Sequence, residues 1–142
     1  MPNTPILGLD VGDKYIGIAL SDTEQLLAHP VATFQRAGGK AESAILSLIA
    51  ERQIKTVVAG LPLGENGEKN QQCEKVENFL RRLQKRVDIT LVLVDEYASS
   101  FAAEEQLREA GNRGRGLKQS GKLDAASAAL ILQSYLDSRE QA

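Results

Sequence analysis

The chain has 142 residues, 42% hydrophobic and 25% charged, with a formal net charge of -2. That length suits one domain, here residues 1–142, built on one core. The composition excludes disordered and fibrous architectures, and the charge excludes a globally basic, nucleic-acid-coating surface. No apolar run approaches a membrane span, and "MPNTPIL" lacks the basic start and long apolar stretch of a signal peptide, so a cytoplasmic protein with no membrane partner is expected. One cysteine, Cys73, and one histidine, His29, exclude an internal disulfide and a Cys/His zinc cluster. His29, in "LLAHPVA", reads as a loop or strand-edge residue. Any enzymatic chemistry then falls to carboxylates.

In chain order, "ILGLDV" (6–11) and "YIGIAL" (15–20) are two short apolar strands at hairpin spacing, joined by Gly12, Asp13 and Lys14. "HPVATF" (29–34) is a third strand. The period then changes: Ala41, Ala44, Ile45, Leu48 and Ile49 recur at helical intervals and predict a helix from about Gly39 to Arg52. "TVVAGLPL" (56–63) has the continuous β-rich character of a strand buried on both faces. After the turn signals "GENG", Cys73, Val76, Leu80, Leu83 and Val87 mark one face of a second helix, with Cys73 as a small core residue. "ITLVLVDE" (89–96) is a further buried strand, and helix signals return from Ser99 or Ser100 to Ala110. "GNRGRGLKQSGK" (111–122) is a glycine-rich basic loop, and a last helix is expected over about Leu123 to Leu136. Strand-helix-strand crossovers imply parallel pairs, whereas the opening hairpin is antiparallel. The predicted fold class is therefore α/β, with a five-stranded mixed sheet flanked by helices.

Three acids stand out against this frame. Asp10 interrupts an apolar strand, where a carboxylate is costly without a compensating cation or donors. Gly8 and Gly12 flank it on the same face and leave bare backbone for something large to approach. The alternative is a structural Asp bonding to turn amides. Asp95 and Glu96 close a buried strand, and sites form at the carboxyl ends of parallel strands; alternation lets one of the two reach such a site. Solvated acids at a strand exit are the competing reading. Asp124 lies in the first turn of the last helix, where the helix dipole alone accounts for a carboxylate. Yet Ala125, Ala126, Ala128 and Ala129 let that helix pack closely and press Asp124 toward whatever it covers. Together the acids match the all-oxygen ligands that Mg²⁺ or Mn²⁺ prefers and suit phosphodiester hydrolysis by metal-activated water. The loop before Asp124 carries Arg113, Arg115, Lys118 and Lys122 and no acid, as a polyanionic substrate requires.

These residues carry a resemblance. Asp10 in "LDVGDKYIGIALSD", the run "VVAGLPLGENGE", the "VDE" ending at Glu96, and "GKLDAASAALILQSYL" resemble, in order and spacing, the YqgF-type family. These are pre-16S ribosomal RNA nucleases, also described as Holliday-junction resolvase-like proteins, of the RNase H-like superfamily. The resemblance runs from Ile6 to Leu136 and implies an RNase H-like fold, with Asp10, Glu96 and Asp124 as catalytic and metal-binding acids. Lys14, Arg113, Arg115, Lys118 and Lys122 are then the expected substrate-binding residues. The family reads "KRIG" where this chain has Tyr15, and "DER" where it has Tyr97, so two arginines are replaced by tyrosines.

The leading expectation is a nuclease that trims the 5′ end of precursor 16S rRNA. A resolvase of four-way DNA would use the same acids but needs two coordinated sites, hence a homodimer. A binding module without catalysis is a third reading, suggested by the two tyrosines. An actin-like or sugar-kinase-like ATPase also opens on a "DxG" strand, but needs two copies of this fold and the chain has length for one.

Overall fold

The computed structural model describes residues 4–63, 68–95 and 122–140. The predicted helix over 99–110, the loop over 111–121, Glu96 and Tyr97 lie outside them. The described elements are β1 (Leu7–Val11), β2 (Tyr15–Ser21), β3 (Ala28–Gln35), α1 (Lys40–Arg52), β4 (Thr56–Leu61), α2 (Gln71–Arg86), β5 (Thr90–Asp95) and α3 (Lys122–Glu140). A single 3₁₀ turn, Ala37–Gly39, leads into α1 through the left-handed Gly38 and Gly39, both at φ 71°.

Five strands form one sheet in the order β3-β2-β1-β4-β5. The β1-β2 and β2-β3 pairs are antiparallel, and β1-β4 and β4-β5 are parallel, as the crossovers require. Alternation along β1 divides the core into two layers. Leu7, Leu9 and Val11 face α1 and α2, with Ile45, Val76, Leu80 and Leu83 beneath them. Ala19, Val58, Ala128, Ile131, Leu132 and Leu136 form the smaller layer under α3. Cys73 is fully buried in the larger layer, as its place on the apolar stripe predicts.

Most boundaries lie within a residue of their predicted places, and the ends of β4 and α3 move further. β4 stops at Leu61 because Pro62 has no N–H to continue the ladder. Asn70 then ties β4 to α2: its carboxamide nitrogen donates to the Pro62 carbonyl, and its oxygen accepts from the Cys73 N–H at 3.0 Å as the N-cap. α3 starts at Lys122, so Lys122 belongs to the helix rather than to the preceding loop, and runs on to Glu140. In its last turn Arg139 lies over the Tyr135 ring of the same helix at 5.5 Å and donates to Gln25 Oε1 at 3.0 Å.

β3 is an edge strand, which is where Pro30 is tolerated. A bulge between Ile18 and Ala19 shifts the pairing from Ile18↔Ala32 to Ala19↔Pro30, leaving Val31 out of register and exposed. The loop entering β3 is organised by Asp22, whose Oδ1 accepts from the Leu26 N–H at 2.8 Å and the Leu27 N–H at 3.2 Å. These bonds hold the Asp22 carboxyl below its ordinary range. A depressed carboxylate pKa contributes stability that is present above the unfolded value and is lost as pH falls through the folded one. Replacement Asp22→Ala is therefore expected to cost a constant increment above about pH 4, an increment that shrinks on further acidification. Denaturant melts of both proteins across that range measure it.

Among the described residues no helix is long and apolar enough to cross a membrane.

Candidate active site

Asp10 occupies the α3 face of β1 and is only 8% exposed. Antiparallel pairing sets Gly17 of β2 opposite Asp10, and Thr33 of β3 opposite Gly17, so the three form one row on one face. The first turn of α3 lies over that row. A Cβ on Gly17 would overlap the carbonyl carbon and oxygen of Asp124 and lie 2.7 Å from the Ala125 nitrogen. Asp10 is thus one strand spacing, about 4.8 Å, from the residue on which Asp124 rests. The positive end of the α3 dipole also faces the buried carboxylate and offsets part of its desolvation.

The docking is driven from further along the helix. Ile131, Leu132 and Leu136 are essentially fully buried, and each contributes on the order of 2 kcal/mol. Their packing carries the first turn, with the half-buried Asp124, onto the sheet.

The glycines correct one expectation. Gly8 does not leave open backbone for a substrate: a Cβ there would meet Leu132 Cβ at 2.8 Å and the Ala128 carbonyl oxygen at 3.0 Å. The helix itself fills that space. Gly12 is likewise closed off by its own hairpin, with the Tyr15 carbonyl oxygen 2.8 Å from a Cβ position. The residue that brings the two acids together is Gly17. Its only sequence signal is that it pairs with Asp10 once the hairpin register is known.

Asp95 falls on the wrong face for this site. Val92 and Val94 pack under α3, whereas Leu91 packs against the opposite layer, and alternation sends Asp95 that way as well. Glu96, Arg113, Arg115 and Lys118 lie outside the described residues, and of Lys122 only its place at the start of α3 is described. Lys14 is described and exposed in the β1-β2 turn, where its carbonyl accepts from the Arg36 N–H at 2.9 Å. It lines a cleft with Arg36, Lys75 and Arg82, cations that carry no motif.

The fold therefore sets the backbone of Asp124 against Gly17, the residue paired with Asp10, although the two acids are 114 positions apart in sequence. Both are hard oxygen donors, the set a small divalent cation accepts. Among the described residues no third His, Cys, Asp or Glu joins them.

The fold is shared with solved nucleases. RuvC of T. thermophilus in complex with a Holliday junction substrate matches at TM-score 0.58 and 15% identity, over 96% of each chain. The Fowlpox virus resolvase in its Holliday junction complex matches at TM-score 0.54 and 14% identity, over 95% of this chain and 98% of that one. The molecule is an RNase H-like α/β enzyme of the phosphodiester-cleaving class. At the level of sequence, the profile described as "RuvX: Holliday junction resolvase" matches residues 4–138, and the chain belongs to that family. Relatives in Synechococcus sp. (strain JA-2-3B'a(2-13)) and Maridesulfovibrio salexigens bear the name "Putative pre-16S rRNA nuclease". The first is 44% identical over 94% of this chain and 78% of its own length; the second is 39% identical over 92% and 96%.

Proposed function

We propose that this nuclease is divalent-metal-dependent and matures the 5′ end of precursor 16S rRNA in the cytoplasm. The observation that carries the reading is Asp10, buried on β1 and facing the turn of α3 that holds Asp124. Asp10 and Asp124, with Glu96 as the family motif implies, would hold Mg²⁺ or Mn²⁺. Such a cation supplies a more acidic water and neutralises charge developing at phosphorus.

The protein's own part is positional. Asp10 is held by the sheet and Asp124 by a helix anchored several turns away, so neither carboxylate depends on a loop for its place. The cations Lys14, Arg113, Arg115, Lys118 and Lys122 would bind the phosphodiester backbone. The rRNA substrate follows the names of the curated relatives.

A second reading, resolution of four-way DNA, is favoured by the likeness to RuvC bound to a Holliday junction and by the family description. It requires paired sites and hence a homodimer. Both are tested by incubating the protein with a precursor 16S rRNA 5′ fragment and with a synthetic four-way junction, with Mg²⁺, Mn²⁺ or a chelator. The expected result is trimming of the RNA that stops on chelation. Junction cleavage by a dimer, with the RNA left intact, selects the second reading. Cleavage undiminished by chelator overturns the metal assignment.

A further inference from the structure

The face of the sheet opposite Asp10 carries a second cationic feature. A cleft of about 820 Å³ opens between the β1-β2 turn, the end of β3 and α2. Lys14, Arg36, Lys75 and Arg82 line it with Asn78, and among the described residues Asp13 is its one lining acid. A chain of net charge -2 thus concentrates four cations at one place.

The two arginines are held by contacts of their own. Arg36 donates to the Gly12 carbonyl at 3.0 Å, and its guanidinium lies 5.2 Å from the centroid of the Phe79 ring. Arg82 lies 5.5 Å from the same centroid. The buried Phe79 therefore packs against two guanidinium groups, which keeps two positive charges beside the cleft. Arg82 reaches Glu42 at 3.6 Å, but Glu42 is shared with Arg86 at 3.2 Å. Lys75 reaches Asp13 at 3.6 Å, with both side chains 58% exposed. Exposed pairs of this kind contribute little and exchange readily for a better anion. Among the described residues Arg36 and Lys14 have no carboxylate within ion-pair distance.

The cleft is also placed to serve the site. It is built on the turn that directly follows the strand carrying Asp10, and Lys14 is four residues from Asp10, a chain reach of at most about 14 Å. Both features sit at the same end of the sheet, on opposite faces.

We infer that this cleft is a phosphate-backbone subsite, where the nucleic-acid strand, having crossed the end of the sheet, is gripped a few nucleotides from the scissile bond. The inference rests on the nuclease reading for its substrate, and its test does not depend on cleavage. Binding of a labelled precursor 16S rRNA 5′ fragment is followed by fluorescence anisotropy as KCl is raised, in full-length protein carrying Asp10→Asn. Adding Lys75→Gln and Arg82→Gln is expected to weaken binding roughly tenfold and to make the log-log salt dependence shallower by about 1.5, as for two lost phosphate contacts. Lys75→Gln alone, at an exposed position that folding does not need, should give about half that change. The control pair Arg81→Gln and Lys85→Gln makes the same charge change on α2 outside the cleft and should leave the slope near the parent's.

Equal slopes for the cleft and control pairs would overturn the subsite, as would a parent that binds no nucleic acid. The nuclease reading is judged separately, by metal-dependent cleavage with Asp10 intact. A protein that binds through the cleft but never cleaves would sink that reading and leave the subsite standing.

Discussion

Asp10→Asn is expected to lower metal-dependent cleavage by about 10³-fold, with the circular dichroism spectrum and melting temperature close to those of the parent. The carboxamide keeps the size of the side chain at a position only 8% exposed, so the packing of β1 against α3 is preserved. What it removes is one of the anionic ligands proposed to hold the cation. Losing the cation's contribution to the transition state is worth about 4 kcal/mol, and each 1.4 kcal/mol is a factor of ten. Asp124→Asn should behave in the same way. Cleavage within tenfold of the parent in either variant, at saturating Mn²⁺, would remove that residue from the metal-binding set.

The second large effect is expected at a residue with no chemistry of its own. Gly17→Ala puts a methyl group where the Asp124 carbonyl already is, and the obstacle is backbone rather than a flexible side-chain end. The first turn of α3 must lift. A stability loss of roughly 3 kcal/mol follows from overpacking of this kind, and a catalytic group displaced by about 1 Å costs on the order of 100-fold in rate. Gly8→Ala is the informative comparison. Its methyl meets Leu132 and Ala128, one to two turns further along the same helix, so it should destabilise by a similar amount while sparing more of the activity. Urea melts and single-turnover cleavage of both variants, made where each is fully folded, separate the two effects. If activity falls equally in both, Gly17 does not position the site.

Much of the architecture is legible in the residues because it is written in local period. The change of period after the strand predicted at 29–34, the β-rich run at 56–63 and the apolar stripe from Cys73 to Val87 each map onto an element of the structure, with β4 ending at Leu61 and Val87 capping α2. Asp10 draws notice for a different reason: a carboxylate inside an apolar strand is costly unless something compensates it, and the structure buries it as that argument expects. The glycines were misread because a bare Cα looks the same in sequence whether a substrate or a helix approaches it. Only the register Asp10↔Gly17 distinguishes the glycine that matters. As a cluster the cleft cations carry no sequence signal because Lys75 and Arg82, seven residues apart on α2, look like an ordinary solvated helix face, and Arg36 and Lys14 come from loops far from them in sequence. Register and helix docking, which are non-local, bring them together.

That non-locality has a consequence for the life of the molecule. The ties between α3 and the β2-β3 connection are among the longest of the described residues: Gln133 bonds Ala28 across 105 residues and Leu26 across 107. Asp124 is brought to Asp10 by the same docking. A ribosome making this protein must therefore translate past Asp124 and on through the anchoring residues Ile131 to Leu136 before the two acids can meet. On the proposed two-acid site, a nuclease built this way would be inactive throughout its own synthesis, until the closing helix settles on the sheet.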